Sequence, residues 1–224
     1  MDVSLQNVLN LRRQLYNFLG YCLYQKPSLT ELKTLQENNF FKELAQIENS
    51  EDKEPWPGLE QILSFIEDLS HMSEEDFKHT SEEFIRLFYG YEKVAVPPYE
   101  SVYVGQEKVM FDESTLQVRS YFKLWGYKLP EGLREPEDHI GLELQFMWLL
   151  CEKALGYLEE RNEQGLQKAL LSQKDFLEEH LLNWIDQFSE RLFKNTTNEL
   201  YRGIALFTPY FLRLDQELLA NLTE

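Results

Sequence analysis

Residues 135–147 read EPEDHIGLELQFM: three carboxylates and a histidine, then a run that turns almost wholly apolar. Pro136 suits the first turn of a helix, where its missing N–H costs nothing. Glu135, Glu137 and Asp138 then stand at the positive end of the helix dipole, which favours negative charge there. Ile140, Leu142, Leu144, Phe146, Met147, Leu149 and Leu150 follow at spacings that surround the helix on nearly all sides. A helix apolar all round lies in the middle of a bundle. The polar group therefore marks the mouth of a buried element.

Helical spacing continues outward in both directions. Val8, Leu11, Leu15, Phe18 and Cys22 step by three and four, as do Leu59, Ile62, Ile66 and Leu69. Phe111, Val118, Tyr121 and Trp125 mark a less regular helix, and Leu177, Leu181, Trp184, Phe188 and Leu192 a further stripe. Leu200, Ile204, Phe207, Phe211, Leu214 and Leu218 form the last, with Pro209 expected to kink it. No run of alternating β-branched residues demands a sheet, so the expected fold is all-α.

Breaks fall at Lys26-Pro27, at NSEDKEPWPG, at YGYEKVAVPPYESVYVG and at GYKLPEGLREPE. The third spends seventeen residues without helical periodicity and holds four tyrosines and two adjacent prolines. Loops that long in a compact domain are often functional. Two readings stand for it: an aromatic contact surface on an extended path, or a loop packed flat over the core. The last break carries Gly126, Pro130, Gly132 and Pro136 and reads as a hinge. The expected organisation is an N-terminal helical group over 1–125, a hinge over 126–137 and a C-terminal group over 138–224, with one compact domain as the alternative.

The totals bound the function. A chain of 224 residues with 43% hydrophobic and 14% aromatic residues can bury a substantial core. Cys22 and Cys151 show no CxxC spacing and read as small buried hydrophobes in a reducing compartment. The start lacks the pattern of a secretory leader, and the longest apolar run, Phe146 to Cys151, is too short to span a bilayer. A soluble, cytoplasmic protein is expected. The net charge of −17, from 39 acidic and 22 basic residues, disfavours nucleic acid and would draw in a cationic partner. On charge alone, a solvated surface that only keeps the chain soluble is the favoured reading.

No metal, cofactor or catalytic residue is expected. His139 and Glu143 share a helix face but fall short of the two-histidine patterns of helical zinc sites, and His71, His79 and His180 are scattered. Phosphate-cradling glycine motifs do not occur. The alternative from another class is a metal- or nucleotide-dependent hydrolase built on Asp138 and His139.

The segment EPEDHIGLELQFMWLL resembles the E-P-x-D-H-x-x-x-E-L-x-F-M signature of the TorD/DmsD/NarJ superfamily, the redox-enzyme maturation chaperones of molybdenum-cofactor oxidoreductases. LFYGYEKVAVPPYESVYVG resembles the family's tyrosine motif, HLLNWIDQF its H-x-x-x-W segment and ELYRGIALFTPYFLRLD its closing helix. These occur in family order from about Phe84 onward; the N-terminal portion matches only in helical character and length.

The resemblance implies a non-enzymatic helical bundle of the TorD-like type, its smaller C-terminal group joined through the E-P-x-D-H hinge and in some members exchanged to form a dimer. It implies a chaperone that binds the twin-arginine leader or N-terminal segment of a molybdoenzyme catalytic subunit during cofactor loading and export proofreading. Carried over from the tyrosine motif are Pro98, Tyr99, Glu100, Ser101 and Tyr103, and from the hinge motif Glu135, Pro136, Asp138 and His139. A leader needs carboxylates for its guanidinium groups and an aromatic groove for its apolar stretch. Glu135, Glu137 and Asp138, with Glu100, could supply the first, and Tyr99, Tyr103 and Tyr91 the second. For Asp138, leader contact and helix capping both stand. His139 either packs against the bundle or touches the partner. Glu143, His180 and Trp184 read as structural.

Overall fold

The helix that opens at Ile140 sets the architecture. In a computed structural model, which describes residues 4–37, 39–48, 55–90, 94–105, 112–129 and 135–224, it runs Ile140–Glu159. In chain order the helices are α1 (Leu5–Tyr24), α2 (Leu29–Glu37), α3 (Asn39–Glu48), α4 (Leu59–Asp68), α5 (Glu74–Phe88), α6 (Glu100–Val104), α7 (Glu113–Leu124), α8 (Ile140–Glu159), α9 (Glu163–Phe176), α10 (Leu182–Asn195) and α11 (Glu199–Thr223). A π-helical turn, Leu177–Leu181, joins α9 to α10. The described residues contain no strand, only an isolated antiparallel bridge between Tyr99 and His139. The fold is all-α. The tyrosine-rich loop read as lacking helical periodicity contains the single turn of α6. Tyr91, Phe111 and 130–134 of the expected hinge lie outside the described residues.

The chain forms two compact units that interleave along the sequence. One holds Met1–Tyr24, Pro98–Ile185 and Leu212–Glu224; the other holds Gln25–Pro97 and Asp186–Phe211. Of the expected hinge, residues 126–129 and 135–137 fall inside the first.

In the first unit α8 is the central element, with Ile140, Leu144, Phe146, Met147, Leu150, Cys151 and Ala154 fully buried. Its apolar circumference explains that position. Helix α1 lies against it closely enough that a Cβ on Gly141 would come 2.4 Å from Tyr24 Cβ. Only glycine fits there. A buried polar clamp ties α1 to the last helix. Arg12 Nη2 donates to Asp215 Oδ2 at 2.9 Å and to Gln173 Oε1 at 2.6 Å, Arg12 Nε also donates to Asp215, and Tyr16 OH donates to Asp215 Oδ2 at 2.6 Å. The N–H groups on Nε and Nη2 are all taken up, which makes the buried pair tolerable in a core, while Nη1 is buried without a hydrogen-bond partner.

The second unit is built on the aromatic faces of α4 and α5, where Phe65, Phe77, Phe84 and Phe88 are buried, Phe88 stacking on Phe188 at 6.3 Å. Ser73 and Asp76 form a capping box that starts α5. Gly58, at φ 82°, sits in the left-handed region before α4, where a Cβ would meet Gly203 O at 2.3 Å. Pro209 lies inside α11 and has no N–H to give to the preceding turn.

Candidate functional site

All the described residues singled out in the two motifs belong to the first unit, and the structure brings them together around the start of α8. His139 is the N-cap: its Nδ1 accepts from Gly141 N at 3.1 Å. The capping role read for Asp138 therefore belongs to its neighbour. Burial pushes the His139 pKa down to about 3, so the ring is neutral, with Nδ1 as acceptor. Tyr24 and Tyr99 hold it edge-on from two sides, with ring centres 5.4 and 5.3 Å away.

Asp138, fully buried, turns instead toward α6 and α7. Its Oδ2 accepts from Ser101 N and its Oδ1 from Thr115 Oγ1, each at 2.9 Å. Two backbone bonds complete the join: Glu100 N donates to Asp138 O at 2.9 Å, and Ile140 N to Pro98 O at 2.8 Å. One side chain thus satisfies the N-terminal N–H of one helix while its own backbone leads into the next. Short helices need such partners because their first N–H groups have none inside the helix.

Behind this join lies a buried acid cluster. Glu100 Oε2 is 3.0 Å from His180 Nδ1, and Trp184 Nε1 donates to Glu143 Oε2 at 3.3 Å. His180 belongs to the π-helical turn and is buried. Burial and the charges of Glu100 and Asp138 hold the Glu143 carboxyl well above its ordinary value. Glu100 acts on Glu143 both as a neighbouring charge and as a hydrogen-bond partner.

Other motif residues face outward. Tyr99 is half-buried and its OH donates to Glu135 Oε2 at 2.8 Å. Glu137 is half-buried and pairs bidentately with Arg119, at 2.6 and 2.9 Å. Tyr103 is half-buried, its ring 5.3 Å from that of Trp184. The motif residues divide accordingly. Pro98, Glu100, Ser101, Pro136, Asp138 and His139 are buried, whereas Tyr99, Tyr103, Glu135 and Glu137 reach the surface. Tyr91 lies outside the described residues.

Thr115 and Arg119 were not singled out from the sequence, and α7 carries no signal that marks them. Their partners Asp138 and Glu137 lie 23 and 18 residues away. His180 and Trp184 were read as packing residues, and both also hold a carboxyl. Among the described residues no group of three His, Cys, Asp or Glu side chains is arranged to hold a metal ion. No helix is long and apolar enough to cross a membrane.

Comparison with known proteins places this arrangement. The chain resembles the TorD chaperone of Vibrio parahaemolyticus, 23% identical over 93% of this chain and 94% of that one. It also resembles the TorD chaperone of Vibrio cholerae, 28% identical over 88% of this chain and 98% of its relative. A probable Tat proofreading chaperone, DmsD of Haemophilus influenzae, is 33% identical over 58% of this chain and 57% of its own length. The family model of the nitrate reductase delta subunit matches residues 48–190, a span that contains the tyrosine motif, the start of α8 and the acid cluster. The chain belongs to the nitrate reductase delta subunit family, within the superfamily of redox-enzyme maturation chaperones that its motifs resemble.

Proposed function

We propose that this chaperone, which is not an enzyme, binds the twin-arginine leader or N-terminal segment of a molybdenum-cofactor oxidoreductase in the cytoplasm, holding it during cofactor loading and until export. The observation that supports this reading is the division of the motif residues. A buried join fixes α6 against the start of α8, and it leaves Tyr99, Glu135 and Glu137 as a supported acidic and aromatic rim. A carboxylate has about four lone-pair positions, so Glu135 and Glu137 keep acceptor capacity beyond the bonds they make to Tyr99 and Arg119. An incoming guanidinium can use that capacity in the fork geometry that favours arginine over lysine. Tyr99 and Tyr103 offer ring faces to the apolar residues that follow. Asp138, His139, Glu100 and Ser101 act in this reading by positioning the rim. The net charge of −17 speeds encounter with a basic segment.

Fluorescence anisotropy with a labelled twin-arginine leader peptide tests the reading. Binding should be saturable, weaken as salt rises, and fall when the arginine pair is replaced by glutamine. Equal affinity for the glutamine peptide would contradict it. The hydrolase alternative has no observation in its favour: both Asp138 oxygens and His139 Nδ1 are already engaged within the fold.

A further inference from the structure

The Glu137 carboxylate, which the rim offers to a cation, already holds one. Arg119 Nε donates to Glu137 Oε1 at 2.6 Å, and Arg119 Nη2 donates to Glu137 Oε2 at 2.9 Å. Two N–H groups of one guanidinium thus take both oxygens of one carboxylate. An arginine makes that fork and a lysine does not.

The fold places this pair, since 18 residues separate its partners. Thr115, one turn before Arg119 on α7, is buried and donates to Asp138 Oδ1 at 2.9 Å. Successive turns of α7 therefore bind successive residues of the segment that leads into α8. The Thr115 bond fixes the helix from inside, and the fork stands beside it at the surface. There the Arg119 side chain is 39% exposed and that of Glu137 16%. Burial of Glu137 is opposed by hydrogen bonds from Arg119 and from its own N–H, and by the charges of Arg119 and Lys123. These hold the carboxyl below its ordinary value, so it is ionised at neutral pH.

A pair this exposed adds little to stability. Its position gives it another consequence, because it fills the acceptors that an incoming arginine would use.

We propose that Arg119 is a resident competitor at the rim: it occupies Glu137 until an arginine of the incoming segment takes the same two oxygens. The inference rests on the leader-binding reading and names the residue that sets the affinity threshold for that site. Exchange of one guanidinium for another conserves both charge-assisted hydrogen bonds, and the released Arg119 passes into water. An ammonium group is a point charge and does not restore the two parallel bonds. With the fork closed, a lysine segment therefore meets a cost that it does not offset. The lone pairs left over on Glu137 give the segment its first contact, and the fork follows when Arg119 leaves. Affinity is lowered by the fraction of molecules in which the fork is open.

The test uses the full chain and a labelled twin-arginine leader peptide, read by fluorescence anisotropy. Arg119→Gln opens the fork permanently and should tighten binding by about threefold to fivefold, the range an exposed pair permits. It should also make binding more salt-dependent, because a new ion pair forms where the wild type exchanges one for another. Two further variants separate the fork from its charge. Arg119→Lys keeps the charge, weakens the fork and should tighten binding by about twofold to threefold. Lys123→Gln removes a charge one turn further along α7, leaves the fork in place and should stay within about twofold of wild type. If the wild type does not bind the peptide, the leader reading and this inference fall together. If it binds, only this inference falls when Arg119→Lys is no tighter than wild type, or when Lys123→Gln gains as much as Arg119→Gln. Weaker binding by an Arg119→Gln that melts like wild type would make Arg119 a support of the rim and overturn the proposal.

Discussion

Asp138 and Ser101 form the central joint of the site, the carboxylate of one taking the backbone N–H of the other at 2.9 Å in a place closed to solvent. Because Thr115 holds the other oxygen, the two bonds fasten α6 and α7 to the start of α8. Replacing Asp138 with Asn turns one acceptor into an NH2 group facing a donor. The expected destabilisation is about 2–4 kcal/mol by urea unfolding. Thr115→Val removes a single donor and should lose about 1 kcal/mol. Equal stability of Asp138→Asn and wild type would show that the joint does not hold α6.

The Arg12–Asp215 clamp predicts a strong coupling between the two ends of the chain. Arg12→Met leaves Asp215 buried with Tyr16 as its hydrogen-bond partner, and should destabilise by about 3–5 kcal/mol. Arg12→Met combined with Asp215→Leu and Tyr16→Phe should recover most of that loss, because similar apolar volume replaces the ions. Additive losses across the three sites would contradict the coupling.

Two buried groups make stability depend on pH in opposite senses. Glu143 has its folded pKa raised above the ordinary 4.5. Its contribution is fully present below that value and is lost as pH rises toward the folded pKa. His139 has its folded pKa lowered from 6.5 to about 3. Its contribution is fully present above 6.5 and is lost as pH falls toward 3. Glu143→Gln should therefore flatten the fall in stability with rising pH, which has a limiting slope of about 1.4 kcal/mol per unit. His139→Asn, which keeps an N-capping side chain, should flatten the fall on the acid side. Urea unfolding over the pH range reads both, and unchanged slopes in both variants would refute the assignments.

Two glycines of α8 should respond oppositely to alanine. At Gly141 the new Cβ would meet Tyr24 Cβ at 2.4 Å and Tyr24 Cα at 2.7 Å, backbone that cannot easily yield. A loss of about 1–3 kcal/mol or more is expected. At Gly156 a Cβ meets nothing within 4 Å, and alanine should stabilise by about 0.4–1 kcal/mol. Thermal or urea unfolding of the two variants checks the pair.

Much of the fold could be read from periodicity alone. Leu177, Leu181, Trp184, Phe188 and Leu192 are all buried, and so are Leu59, Ile62, Ile66 and Leu69. The all-round apolar pattern after His139 marked α8 as the central helix. The division of labour inside the motifs was not readable in the same way. A run of acids before a helix looks the same whether each residue caps, pairs or faces solvent, and only tertiary partners separate these roles. Asp138 found Thr115 and Ser101, Glu137 found Arg119, and capping fell to His139. The π-helical turn was hidden because a spacing of four, from Leu177 to Leu181, fits an ordinary helix equally well. The partner that gives His180 its meaning, Glu100, lies 80 residues away. The burial of Asp215 against Arg12 spans 203 residues, beyond any local pattern.

The claim that the rim reads the leader while the buried joint only supports it is tested most directly by calorimetry. A twin-arginine leader peptide is titrated into the wild type and into Glu135→Gln with Glu137→Gln, and both proteins are melted in parallel. Glu137 and Arg119 form a partly exposed pair, so the substitutions should change stability by no more than about 1 kcal/mol. The account predicts at least about tenfold weaker binding by the double variant, together with loss of most of the salt dependence. A double variant that melts like the wild type and binds the leader with wild-type affinity would contradict it.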